Sequence, residues 1–203
     1  MYKFFRRLAV CGLIAAVIWC AYLLQERKNL TDSLIRFHVV ANSDSDSDQA
    51  VKLKVRDAVL ASIQRDLASV ADISAARAYL SENTQKIQMV VNATLRENGY
   101  PEHSSVRLCK ERFDTRHYDT FSLPAGIYES LRIIIGEGNG RNWWCVTFPS
   151  LCDPATSAEF EDTAVSSGFH KSMVKTLSGQ KQYTVRFYLL DKLGELENIF
   201  WSG

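Results

Sequence analysis

An unbroken apolar run, Leu8 to Leu24 (LAVCGLIAAVIWCAYLL), constrains this chain more than any other feature. As a helix it reaches about 25 Å at ~1.5 Å per residue, slightly short of a ~30 Å bilayer core. Burying such a run in hydrocarbon is favourable. Lys3, Arg6 and Arg7 precede it, and Glu26, Arg27 and Lys28 come after it. Cations prefer the cytoplasmic side, so the pattern directs the remainder of the chain out of the cytoplasm. Residues 1–28 therefore read as a signal peptide or a membrane anchor through residues 8–24, and residues 29–203 as one exported domain. No clear small-x-small cleavage site lies beyond the run. Ala21 is the one small residue near its end, and Trp19 and Tyr22 are poor neighbours for a peptidase. Cleavage and retention both stay open.

The exported part is long enough to bury a core without metals or dense disulfides. Five cations against one acid give +4 in residues 1–28, which leaves −3 of the chain's net +1 for the rest. A slightly acidic body has no electrostatic footprint for nucleic acid. Cys11 and Cys20 fall in the leader, so Cys109, Cys145 and Cys152 remain. In an oxidising compartment Cys145 and Cys152 could pair across their Pro-containing turn, leaving Cys109 free. The alternative is three small buried hydrophobes. Three cysteines without CxxC spacing make no zinc site.

Leu34 to Ala41 (LIRFHVVA) reads as the first strand. Ser47 or Asp48 caps a helix to about Ala68, with Val51, Val55, Val59, Ile63 and Leu67 as its buried ridge. A second helix starts near Asp72 or Ser74 and carries Ala76, Leu80, Ile87, Val91 and Leu95 on one face, ended by Gly99 and Pro101. Strands are expected next at 105–113 and 118–123. Residues 128–135 and 142–148 are expected to pair as a hairpin through Gly138-Asn139-Gly140. The tail is expected to be helical over 160–177. Over 183–200 the chain alternates like a strand and steps like a helix, and helix is the expectation. Helices succeeded by strands define an α+β class with an antiparallel or mixed sheet and two long helices.

The motifs that carry chemistry fail one by one. Asp44, Asp46 and Asp48 resemble a calcium loop, but Gln49 and Val55 stand where glycine and a bidentate glutamate are needed. Gly136, Gly138 and Gly140 lead into a strand, not into the Gly-Lys-Ser/Thr helix of a phosphate loop. His38, His103, His117 and His170 have no fixed nucleophile, and no Gly-x-Ser-x-Gly, His-Glu-x-x-His or Asp-Thr/Ser-Gly occurs. No metal, cofactor, small-molecule substrate or nucleic acid is expected, and the chain does not read as an enzyme. Trp143 and Trp144 are adjacent on a strand, so they point to opposite faces. One is core, and the other is either covered or an interface anchor.

Four strings carry a family resemblance: Arg36-Phe37-His38-Val39-Val40-Ala41-Asn42-Ser43-Asp44, Lys52-Leu53-Lys54-Val55-Arg56-Asp57, Leu123-Pro124-Ala125-Gly126, and Ile135-Gly136-Glu137-Gly138 with Asn142-Trp143-Trp144-Cys145-Val146. With the leader they resemble the stage II sporulation protein R family. Two places depart from its pattern. Ser45 to Asp48 replaces a loop that usually contains proline, and Asp153-Pro154 comes after Cys152 where an apolar continuation is usual. The resemblance implies an intercompartmental signal in endospore formation. Such a protein is made in the forespore, exported into the septal space between the two membranes, and activates a membrane-bound aspartic protease that processes pro-sigma-E in the mother cell. Under that reading the partner-binding candidates are Arg36, His38, Asn42, Asp44, Lys54, Arg56, Glu137, Trp143 and Trp144. The competing reading is an exported cell-wall or peptide hydrolase using Cys145 and a histidine.

Overall fold

A computed structural model describes residues 1–70, 72–101, 103–151, 157–167, 169–178 and 185–201 (of Ser157 and Ala158, the backbone only). The first helix, α1, runs unbroken over Tyr2–Asp32. Residues 1–22 of the chain are exposed. Among the described residues it is the one helix long and apolar enough to cross a membrane. It does not stop at residue 28. Leu23, Glu26, Arg27 and Leu30 are buried against the body, so the last turns belong to the domain core. The expected boundary at residue 28 thus falls inside a continuous helix.

The chain then forms β1 (Ile35–Val40), α2 (Asp46–Ala68), α3 (Ile73–Glu82), α4 (Thr84–Glu97) and β2 (Ser104–Phe113). Two short strands come next, β3 (Arg116–His117) and β4 (Ser122–Leu123), then β5 (Gly126–Ile135) and β6 (Asn142–Phe148). The tail is helical: α5 (Ser157–Ser166), α6 (Lys171–Ser178) and α7 (Val185–Phe200). The class is α+β, as the sequence predicts.

The predicted hairpin is overturned. The four-stranded sheet has the order β2-β5-β1-β6, so β1 lies between the two strands expected to pair. It runs parallel to β5, with Phe37 opposite Leu131, and antiparallel to β6, with Phe37 opposite Cys145. The residues between β5 and β6 must cross about 10 Å, twice the strand spacing, which a two-residue turn cannot do. They cross over the end of β1: Asn139 N–H donates to Asn42 O at 3.1 Å and Gly140 N–H to Ala41 O at 2.9 Å. A central strand is covered on both faces, and every residue of β1 is buried.

Smaller expectations shift as well. The α2 cap is Ser45, whose Oγ accepts the Asp48 N–H at 3.2 Å, two or three residues earlier than expected. The single second helix is two, broken at Asn83, whose Nδ2 donates to Tyr79 O at 2.8 Å. Its apolar ridge nevertheless continues through the break, because Leu80 and Ile87 stay on one side of the bundle. The predicted strand over 118–123 is reduced to the β3–β4 pair, Arg116 opposite Leu123. The tail helix expected over 160–177 divides into α5 and α6, and the ambiguous segment is helical from Val185 onward.

Two apolar clusters sandwich the sheet. One joins α2, α3 and α4 to the odd-numbered residues of β1 and β5, Ile35, Phe37, Leu131 and Ile133 among them. The other joins the end of α1 and the tail helices to the opposite face through Tyr128, Val146 and Phe113. Each fully buried Leu or Ile in these layers contributes roughly 1.5–3 kcal/mol.

Candidate functional site

The face of the sheet that carries the second cluster also holds a buried polar group. Arg36, at the start of β1, is 0% exposed. Its guanidinium carbon lies 3.9 Å from the Phe113 ring centre and 5.1 Å from that of Tyr128, and Nη2 donates to Tyr118 Oη at 2.8 Å. Nε and Nη1 find no hydrogen-bond partner among the described residues. Cation–π contact is its main compensation, a costly arrangement for a desolvated charge.

Two residues along β1, on the same face, His38 is 9% exposed. Its Nδ1 lies 3.2 Å from both Glu111 carboxylate oxygens, and Nε2 lies 2.9 Å from Asn142 Oδ1. Arg132 Nε approaches Glu111 Oε1 at 3.1 Å. Burial pushes the Glu111 carboxyl up. The hydrogen bond and charge of His38, with Arg132, outweigh that and hold it below its ordinary 4.5. Trp144 stacks on the His38 ring, 5.7 Å between centres at 21°, and the Arg116 guanidinium carbon sits 3.6 Å from the Trp144 ring centre.

A second group closes the end of β1. Asn42 Nδ2 and Ser43 Oγ donate to Asp48 Oδ2 at 2.9 and 2.6 Å, which holds the Asp48 carboxyl below its usual range. Asn42 Oδ1 accepts the Glu137 N–H at 3.0 Å, and Asp44 Oδ1 accepts the Arg141 N–H at 2.6 Å. Gly136 makes the turn at φ +57, where any side chain would meet Asn42. Lys52 Nζ donates to Arg141 O at 3.0 Å from the α2 side. The aspartate segment is thus a clasp on the crossing loop, and among the described residues no group of three metal-ligating side chains forms.

The nine partner-binding candidates fall into three places. Arg36, His38 and Trp144 share the polar sheet face. Asn42, Asp44 and Glu137 line the clasp. Lys54 and Arg56 lie on α2, where Lys54 Nζ bonds Asn98 Oδ1 and the Arg56 guanidinium carbon is 5.0 Å from the Trp143 ring centre. Trp143 meets Phe37 edge-on at 5.8 Å, so the two tryptophans do face opposite layers. Arg36 and His38 are internal, whereas Asp44, Lys54 and Glu137 are exposed. Glu111, Asn142, Arg116 and Arg132 were not singled out from sequence. Glu111 carried a signal: Val106 and Leu108 share one parity of β2, and Glu111 with Phe113 takes the other.

Cys145 is 2% exposed and pairs in register with Phe37, on the face opposite His38. A Cys145–His38 couple would need both side chains on one face. Cys145 is disulfide-bonded, and Cys152, the partner expected from sequence, lies outside the described residues. Cys109 is a free thiol whose pKa burial pushes up, away from the reactive thiolate.

Fold and cluster together define the class: an α+β domain carried on an apolar N-terminal helix, with a buried cationic and His–Glu group behind one sheet face. The chain belongs to the stage II sporulation protein R family, whose model matches residues 31–158. It is 38% identical over 123 residues to stage II sporulation protein R of Bacillus subtilis (strain 168), a match covering 61% of this chain and 55% of that protein. The aligned part therefore spans about half the length of that relative. No solved structure matches. Family membership ties the chain to sporulation.

Proposed function

We propose that this protein is an exported signal of endospore formation. It is made in the forespore, crosses the forespore membrane behind the α1 leader, and acts in the septal space. There it activates a membrane-bound aspartic protease that processes pro-sigma-E in the mother cell. The observation that carries this reading is the family match over residues 31–158. The apolar α1 agrees with it, since such a leader suits export with or without retention. The contact surface proposed is the edge of the sheet at Trp144 and the β1 clasp, where Asp44 and Glu137 reach the partner, and Trp143 and Lys54 flank that edge from the α2 side. Arg36 and His38 shape that rim from beneath.

The test is a reconstitution in a non-sporulating host. Pro-sigma-E and the septal protease are expressed with and without this chain, and precursor cleavage is monitored by size. Cleavage that depends on the chain is expected. Uncleaved precursor, with the chain shown to be exported and folded, overturns the reading.

A further inference from the structure

Helix α7 presents an apolar stripe that no described residue covers. Val185, Tyr188, Leu196, Ile199 and Phe200 are all exposed, Ile199 at 69% and Phe200 at 83%. They lie opposite Phe187, Leu190, Asp191 and Gly194, which pack on the body, as helical spacing requires. The stripe is interrupted by Lys192, paired with Glu195 at 2.6 Å.

Two ion pairs fix how α7 meets α1. Glu26 pairs with Arg186, and Arg27 pairs with Glu197. The partners are neighbours on α1 but lie at opposite ends of α7, about 16 Å apart at ~1.5 Å per residue. Helix α7 therefore lies across α1, not along it. The C-terminal end of α1 leads into β1, and the buried side of α7 packs towards that same sheet. The apolar N-terminal part of α1 must then leave on the other side of α7, the side that bears the stripe. A helix is about 5–6 Å in radius with its side chains, so the stripe sits roughly four α1 residues above the crossing. That level is Tyr22 and Leu23, the end of the apolar run.

We infer that α7 is an interfacial helix, lying with its stripe in the surface of the bilayer that α1 enters. The inference rests on Leu8–Leu24 being membrane-inserted. The occupant is lipid because the stripe continues the apolar surface of α1 at the depth where acyl chains give way to headgroups. Amphipathic helices seat their apolar face about 5–10 Å into that boundary. Tyr188 on the stripe and Trp201 just beyond α7 are residue types that favour this zone. Two attachments, one through and one along the membrane, hold the domain at a set tilt with the β1 clasp at a set height.

The full chain is reconstituted in phosphatidylcholine vesicles carrying a lipid-borne quencher, with Cys11, Cys20 and Cys109 replaced by serine. A fluorophore is attached at Ile199→Cys, at Leu13→Cys in the apolar run, or at Met89→Cys on the exposed side of α4. The signal of the chain without an added cysteine is subtracted. Strong quenching at Leu13, several-fold more quenching at Ile199 than at Met89, and its loss in Phe200→Lys are expected. Quenching at Leu13 with Ile199 no different from Met89 overturns the inference and leaves the inserted α1 standing. No quenching at Leu13 overturns both. Shielding of Ile199 that tracks protein density instead of lipid means a second copy covers the stripe, and this too overturns the inference.

Discussion

Trp144 lies nearly flat on His38, and this stacking joins the exposed rim of the domain to its buried Glu111 carboxylate. Trp144→Ala should leave the fold intact, because Trp144 is only partly buried, at the margin of its cluster on the edge strand. It should abolish pro-sigma-E processing in the reconstituted host. Glu137→Ala, on the exposed clasp, should do the same. Normal processing by both variants, with unchanged thermal melts, would sink this choice of contact rim.

Arg36 separates stability from function. Its charge is desolvated, and the groups around it are aromatic. Replacing a buried charge by an apolar residue of similar size is often neutral or stabilising. Arg36→Met is therefore expected to stay within about 1 kcal/mol of the parent or gain stability, whereas Arg36→Ala should lose about 2–4 kcal/mol through the cavity it leaves. Urea titration distinguishes them. A folded but inactive Arg36→Met would mean the cation is retained for signalling.

Acid should weaken the domain through Glu111. Its folded pKa is depressed, so its contribution is present above the ordinary 4.5 and is lost as pH falls through the folded value. Asp48 has the same sign. Glu111→Gln should flatten the decline of stability with acid, measured by denaturation from about pH 7 to about pH 3. An unchanged slope would mean the pair contributes no pH-dependent stability.

The last turns of α1 should behave as core. A chain beginning at residue 21 keeps Leu23, Glu26, Arg27 and Leu30, and one beginning at residue 29 loses all but Leu30. The shorter chain strands Arg186 and Glu197 without their partners and uncovers apolar surface. It should be a few kcal/mol less stable, since burying a Leu side chain such as Leu23 alone contributes roughly 1.5–3 kcal/mol. The stranded Arg186 and Glu197 are 30% and 44% exposed, so water screens them and they add little to that cost. Equal denaturation midpoints for the two chains would remove α1 from the core.

Gly194 of α7 lies where an added Cβ would strike the Ala125 carbonyl oxygen. Gly194→Ala should push α7 off the 124–126 turn and cost about 1–3 kcal/mol by overpacking. A melting temperature matching the parent would show that α7 docks with room to spare.

The sheet order was hidden in the sequence for a physical reason. Gly138-Asn139-Gly140 is a strong hairpin signal, and it failed because hairpin chemistry is local whereas strand neighbours are not. Asn42 and Asp44 hold the crossing loop from nearly a hundred residues away, and no spacing rule reports that. The helical ridges were legible, since Val51, Val55, Val59, Ile63 and Leu67 recur at a period that only one buried face explains. The opposition of Trp143 and Trp144 was legible too, because strand alternation requires it.

By itself the sequence determined the apolar N-terminal helix, the α+β class, the ridges of α2 and α4, and membership in the stage II sporulation protein R family. These come from periodicity, composition and short strings, all local along the chain. Only the tertiary structure decided that β1 separates β5 from β6, that Arg36 is buried among rings, and that His38 meets Glu111. It alone put the end of α1 in the core, with α7 crossing it. Each of these depends on residues far apart in the chain, brought together when apolar faces on both sides of one sheet are buried at once.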